Sequence, residues 1–347
     1  MQRFQDVIGE AAARRAPLRL RGGGSKDFFG NAPRGEVLDT RGYAGIVDYE
    51  PAELVVTARC GTALAELERA LDEKGQCLPF EPPHFGAATL GGCVAAGLSG
   101  PRRASAGALR DFVLGVKLVD GRGRALDFGG RVMKNVAGYD VSRLAAGSLG
   151  TLGLIAEASL KVLPKPEREL TLAFALPQRE ALEAVNRWAG QPLPVSASAW
   201  HDGELRLRLS GGEPALRAAA ERLGGERIDE ASAFWSSIRE QTHAFFDGPQ
   251  PLWRLAVPST TPPLGLPGRE LLEWTGALRW LKSDAPAAHI RDTAQRVGGH
   301  AALFRAADKS AGAFAPLDAA TARLHRALKA EFDPAGILNP GRLYADL

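Results

Sequence analysis

The sequence predicts an α+β protein in two parts, and three observations predict it. Glycine gathers in three loops of the first 155 residues: RGGGSKDFFG at 21–30, GAATLGGCVAAGLSG at 86–100 and GSLGTLG at 147–153. The second half reads strand–helix–strand–strand–helix, partly repeated, the pattern of an antiparallel sheet with helices on one face. A chain of 347 residues, 45% of them hydrophobic, is long enough for two cores and too apolar to be disordered.

Element by element, Pro17–Arg21 is a short apolar run that stops at three glycines, as a strand entering a loop does. Glu53–Ala58 is β-branched and predicts a second strand. Leu64, Leu67 and Leu71 then recur at helical spacing, with Thr62 as the expected N-cap and Gly75 as the stop. Phe112–Asp120, Gly121-Arg122-Gly123 and Arg124–Phe128 form a hairpin signal. Leu154–Val162 alternates as a strand, and Pro164–Glu167 is the expected linker. Beyond it come a strand at Leu170–Leu176, a helix at Gln178–Ala189 and a hairpin of Val195–Trp200 with Glu204–Leu209. A helix at Glu213–Leu223 precedes strands at Trp253–Pro258 and Ala277–Lys282. A helix at Ala285–Val297, a strand at His300–Arg305 and a helix at Leu317–Phe332 complete the pattern.

Composition excludes several classes. Glycine is 40 of 347 residues, about 11.5% against roughly 7% in ordinary proteins, and it has no collagen-like period. The excess therefore marks tight turns and close backbone approaches. No stretch approaches 18 consecutive apolar residues, and the N-terminus lacks an apolar signal core, so neither a spanning helix nor secretion is expected. Cys60, Cys77 and Cys93 are too few for a four-thiolate cluster and are expected as buried thiols in a reduced compartment. A net charge of +3 is too small to imply nucleic acid. Residues 101–168, however, carry 12 Lys/Arg against 6 Asp/Glu, which suits a phosphate-bearing cofactor or an acidic partner as well as a solvated face.

The familiar nucleotide and catalytic motifs are missing. There is no G-x-G-x-x-G after a first strand with an acid about 20 residues on, and no G-x-x-x-x-G-K-[ST]. GSLGTLG leads into a strand rather than a helix. The six histidines show no metal-ligand spacing, no metal site is expected, and there is no G-x-S-x-G elbow. What remains are the glycine loops, whose unobstructed N–H groups make concave anion sites when several converge, and are turns when they stand alone.

The strings RGGGSK, EPPHFGAATLGGCVAAGLSG, LRDFVLGVKLVDGRG, KNVAGYDVSRLAAGSLGTLGLIAEASLKVLP and FDPAGILNPGRL occur in that order. Together they resemble the FAD-binding domain of the vanillyl-alcohol oxidase and p-cresol methylhydroxylase (PCMH) class of flavoproteins, over residues 15–165 and 332–343. MKNVAGYDVSRL, GPRR, GALRWLKS and NPGRLYADL further resemble the family of FAD-binding (E) subunits of bacterial glycolate oxidase complexes, along the whole chain. The resemblance implies a PCMH-type FAD-binding domain at 1–165, with subdomains at about 1–80 and 81–165. It also implies a reduced α+β cap at 166–330 and a tail at 331–347 that returns to the flavin. In this class Arg21, Gly22, Gly23, Gly24 and Ser25 wrap the pyrophosphate. Pro82, Thr89, Gly91, Gly92, Ser99 and Gly100 surround pyrophosphate and flavin. Gly150, Gly153 and Ile155 meet the adenine side, and Asn339 approaches the flavin from the C-terminal end.

Two departures refine the expectation. Members that bind flavin covalently often place His directly after the glycine run; here that position is Ser25, so noncovalent FAD is expected. Larger 2-hydroxy-acid dehydrogenases of the class carry a His/Glu cluster in the C-terminal half, and residues 168–330 show none. The resemblance then implies a second subunit with its own FAD and substrate site, an iron–sulfur subunit that receives the electrons and a small 2-hydroxy acid substrate, with the chain cytoplasmic or peripheral at the inner membrane through the complex. Arg254, Arg279 and Lys282 are the candidates for a substrate carboxylate, Arg being suited to bidentate contact. The alternative for Arg279 and Lys282 is a charge on an edge strand, facing solvent or a partner. For Trp253, Trp274 and Trp280 a core or interface role competes with flavin stacking. Two other readings stay open: a stand-alone FAD reductase of the UDP-N-acetylenolpyruvylglucosamine class, and a non-catalytic FAD-binding scaffold.

Overall fold

The computed structural model describes residues 1–130 and 139–347; the opening of the MKNVAGYD string lies outside them. The hairpin read from 112–128 forms as Val113–Val119 against Ala125–Gly129. It is one edge of an antiparallel five-stranded sheet that continues through Leu154–Lys161 and Val55–Arg59 to Ile46–Glu50. The helices Leu64–Asp72 and Leu90–Ala96 close its core, because Leu64, Leu67 and Leu71 lie on one face and are fully buried. The first helix ends at Asp72 with Glu73 as its C-cap, and Gly75, the expected stop, lies two residues past that cap at positive φ. Thr62 does not cap it. The N-cap is Ala63, and the Thr62 hydroxyl instead holds the backbone of Gly45 at 2.9 Å.

A second layer is a parallel pair, Leu18–Arg21 with Glu36–Asp39, packed under an N-terminal helix at Gln2–Arg14. Neither element is among those expected above, although Phe4, Ile8 and Ala11 of the helix recur at helical spacing and are buried. The chain returns here at its end, where Leu338 bridges Leu18 and Asn339 N–H donates to Leu18 O.

The strands of the second half join one eight-stranded antiparallel sheet. Its order is Glu226–Ile228, Arg168–Ala175, Glu204–Gly211, Val195–His201, Arg269–Glu273, Leu278–Lys282, Leu252–Ala256, His300–Arg305. One face packs against the helices Glu213–Leu223 and Ala287–Arg296, through clusters such as Leu255, Leu281 and Ile290. On the other face Leu271, Leu278 and Trp280 meet Phe29, Ala96, Leu98 and Leu149 of the glycine-rich half. The strand alternation thus turns one side of the sheet toward the glycine loops. The helix Ser232–Arg239, absent from the sequence reading, also sits on that side through Ile238.

This order overturns the edge-strand expectation for Arg279 and Lys282. Leu278–Lys282 is interior, with a neighbour on each side, and the two residues are 0% and 2% exposed. Cys60 and Cys93 are buried free thiols whose pKa burial pushes up to about 12. Cys77 departs from the expected burial: it is half-buried on a charged groove between the two parts.

Candidate functional site

A cleft runs between the parallel strand pair and the helix Leu90–Ala96. Arg21, Gly22, Gly23, Gly24, Ser25, Thr89, Gly91, Gly92, Gly150, Gly153, Ile155 and Asn339 all line it, although they come from four separate segments. At three positions of its walls no side chain fits. A Cβ on Gly22 would meet the Thr89 hydroxyl, one on Gly23 would fall on the carbonyl oxygen of Ala87, and one on Gly91 would strike Cys60. The N–H groups of Gly22, Gly23, Gly24 and Ser25 make no hydrogen bond among the described residues. Four successive amide donors thus face the cleft.

The charge of the lining matches. Arg19, Arg21, Lys26 and Arg342 supply four cations against the single carboxylate of Asp27. Asp27 pairs with Arg19 and, at 2.9 Å, with Arg21. Lys26 Nζ has only carbonyl and hydroxyl partners, donating to His84 O at 3.2 Å, and burial lowers its pKa. Burial acts likewise on Arg342, whose guanidinium donates to backbone oxygens of Asp27, Phe29 and Asn31. A buried cationic concavity with unspent amides is suited to a diphosphate of charge near −2.

Asn339 shapes the cleft. Its Oδ1 accepts from Leu20 N at 2.8 Å and its Nδ2 donates to Leu149 O at 2.6 Å, so the C-terminal tail ties the first strand to the third glycine loop. Asn339, Leu149, Phe85 and Glu81 all have positive φ, a conformation non-glycine residues hold only when packing enforces it.

A second, small cavity opens between Ser99-Gly100 of the second glycine loop and the inner face of the eight-stranded sheet. Lys26, packed 5.5 Å from the ring of Phe85, sits between the two spaces, since Lys26 lines the first and Phe85 the second. Pro82 is buried and lines neither; its neighbour Pro83 lines the second. Of the three substrate candidates only Arg254 reaches this cavity. Arg279 points to the opposite face, where it donates to the carbonyls of Gly276, Thr261 and Pro262. Lys282 caps the carbonyls of Phe246, Asp247 and Gly248. Both are buried structural donors, and neither lines the cavity.

Sequence reasoning missed Glu273, Gln241 and Arg239, which share the cavity with Arg254, Trp280 and Phe304. Glu273 ends the strand Arg269–Glu273, which has no clean alternation to announce it. It is 4% exposed and accepts from Trp280 Nε1 at 2.7 Å. Burial pushes its pKa up to about 7, against the hydrogen bond from Trp280 and the charge of Arg254. The folded state thus prefers the neutral acid, and this group penalises the fold as pH rises from the 4.5 of a free glutamate through about 7. Arg254 is lowered to about 10, first by burial and then by Arg103. Both guanidinium groups lie on the ring of Trp274, which itself donates to Gly100 O at 3.0 Å. Trp280 is therefore a wall of the site as well as a core residue, Trp274 is a core residue that packs against Arg254, and Trp253 belongs to the far face.

The two parts are fastened around this cavity. Arg208 of the large sheet donates to Glu81 at 2.8 and 2.9 Å, and the Glu240 carboxylate accepts from His84 N and Phe85 N at 3.0 and 2.9 Å.

Comparison with known proteins agrees with this geometry. Residues 1–129 match the family described as "FAD binding domain", and residues 311–343 match "FAD linked oxidases, C-terminal domain". The chain is 49% identical over 347 residues to the glycolate oxidase subunit GlcE of Escherichia coli, covering 100% of this chain and 98% of that one. It is 36% identical over 168 residues to the glycolate oxidase subunit GlcD of Bacillus subtilis, 48% of this chain and 36% of that protein. A solved alkyldihydroxyacetonephosphate synthase superposes with a TM-score of 0.68 at 16% identity, over 97% of this chain and 75% of that one, a likeness of fold.

Proposed function

We propose, from the premise that this chain belongs to the family of the glycolate oxidase subunit GlcE, that it is the FAD-carrying subunit of a multi-subunit oxidase or dehydrogenase. Its substrate is a small 2-hydroxy acid, glycolate foremost. The carrying observation is the cationic, glycine-walled cleft with four unspent amides, which fits the diphosphate of FAD. When bound, FAD supplies a two-electron hydride acceptor. The protein's part is to hold it: Arg21 to Ser25 with Thr89, Gly91 and Gly92 around the diphosphate, Gly150, Gly153 and Ile155 on the adenine side, and Ser99-Gly100 toward the ring. In this reading residues 1–165 and the tail from 331 form the FAD module, and 166–330 form the cap that presents Arg254 to the substrate carboxylate.

A partner of the GlcD type, with its own FAD, is supported by the kinship of about half of this chain with GlcD. The chain has three cysteines, and the two buried ones have thiol pKa values near 12. We assign the iron–sulfur cluster that takes the electrons to a further subunit. Among the described residues no helix is long and apolar enough to cross a membrane. The reading puts the chain in the cytoplasm, or at the inner membrane through its complex.

The test is co-purification with the partner subunits followed by flavin counting. One FAD per copy of this chain, beyond the partner's own, is expected. A colourless chain at full stoichiometry would instead make it a scaffold. Because Ser25 stands where a covalent attachment would need His, acid precipitation is expected to release all of the flavin to the supernatant. Yellow pellets would refute noncovalent binding.

A further inference from the structure

We propose that Glu273 is the proton acceptor for the hydroxyl of a 2-hydroxy acid whose carboxylate is held by Arg254. This rests on the reading above that the second cavity receives the substrate.

The geometry carries it. Arg254 pairs with Trp280 across the sheet, and Trp280 with Leu271, so Glu273, two residues on from Leu271, lies on the same inner face. The guanidinium makes no hydrogen bond or ion pair among the described residues, and it shares the cavity with Glu273. Trp280 holds one carboxylate oxygen, and no hydrogen bond reaches the other. Gln241 Oε1, on the same cavity, is buried with no partner. Trp274 and Thr275, directly after Glu273, both have positive φ and are tied to Gly100 O and Ser198 Oγ. That corner fixes where the carboxylate points. An unpartnered cation, a half-free carboxylate and an orphaned acceptor in one space leave a polar ligand to complete the set.

The step balances. The hydroxyl O–H bond breaks and its proton bonds to the free oxygen of Glu273. The electron pair of that bond becomes the second C–O bond of the 2-oxo acid. The Cα hydrogen leaves with its electron pair as a hydride to the flavin, the oxidant. The charged groups around Glu273 are Arg254 and Arg239 on the cavity, Glu81 behind it and Arg103 across Trp274.

The test uses the full chain loaded with FAD and oxalate, a dianion that cannot be oxidised, read from the flavin absorbance. In the wild type, oxalate affinity is expected to fall several-fold from pH 6 to pH 8 as Glu273 ionises, and Glu273→Gln to flatten that profile. Anaerobic flavin reduction by glycolate is expected to slow about 10²- to 10⁴-fold in Glu273→Gln, the usual worth of a general base, with partial recovery in Glu273→Asp. FAD retention and thermal midpoint report whether each variant is intact. An oxalate response with unslowed reduction in Glu273→Gln overturns the role of Glu273 and leaves the site standing. Neither response nor reduction in the wild type removes the substrate cavity, and the proposal with it.

Discussion

Gly23→Ala is expected to purify without FAD. The new methyl would fall on the carbonyl oxygen of Ala87, a backbone atom of the facing loop that no rotamer change can clear. One of the two glycine loops must move, and the aligned amides of Gly22 to Ser25 with it. Overpacking of this kind costs about 1–3 kcal/mol where side chains can adjust, so a loss of FAD affinity of at least about 10²-fold is expected here. Gly9→Ala is the control. It lies in the helix Gln2–Arg14 with nothing within 4 Å of the added atom, and replacing a helical Gly is expected to stabilise by about 0.5–1 kcal/mol. Fluorescence titration of apoprotein with FAD and a thermal melt of each variant decide the matter. Tight FAD binding by Gly23→Ala would remove the first loop from the cofactor site.

Asp333→Ala is expected to weaken both the fold and the cofactor site from a position outside the cleft. Asp333 is 1% exposed. It accepts from Lys329 Nζ at 2.7 Å and from the N–H groups of Ile337 and Leu338 at 3.1 and 2.7 Å. Lys329 also donates to Thr151 O and Leu338 O, both at 2.8 Å. Removing the carboxylate leaves the Lys329 ammonium buried without its counter-ion and two buried amides without their acceptor. Breaking a buried pair in this way costs about 3–5 kcal/mol, which for a chain of this size lowers the melting temperature by about 5–10 °C. The hub also sets the path of residues 337–339, and Asn339 joins Leu20 to Leu149 at the cleft. FAD affinity is therefore expected to fall along with stability. A melting shift with unchanged FAD affinity would show that Asn339 holds its place without this anchor.

The comparison of sequence with structure is instructive at particular residues. The helix with Leu64, Leu67 and Leu71 and the hairpin around Gly121-Arg122-Gly123 needed only local periodicity and turn chemistry, and both formed near their expected bounds. The strand Arg269–Glu273 was missed because its two adjacent leucines are buried on opposite faces of an interior strand, so no alternation of polar and apolar residues survives. With it went Glu273. Gln241 was missed with the helix before it, because an orphaned carbonyl oxygen has no signature in sequence.

What the sequence determined by itself is the cofactor side of the protein. Glycine is required wherever backbone must approach backbone or a ligand without a Cβ between them. That need is written residue by residue: seven of the glycines singled out line one cleft, together with five other residues that the family resemblance implied. The fate of the cations was decided only in three dimensions. Arg254, Arg279 and Lys282 look alike along the chain, two of them three residues apart. Strand order placed Leu278–Lys282 in the sheet interior, and strand parity sent Arg279 to the far face. The carbonyls of Gly276, Thr261 and Pro262 there, and those of Phe246 to Gly248 at the strand's end, absorb the donors of Arg279 and Lys282. Of the three, Arg254 alone makes no hydrogen bond or ion pair among the described residues, and it alone lines the second cavity. A buried charge is settled by whichever acceptors the whole fold brings within hydrogen-bonding distance, and those acceptors come from segments that no local pattern connects.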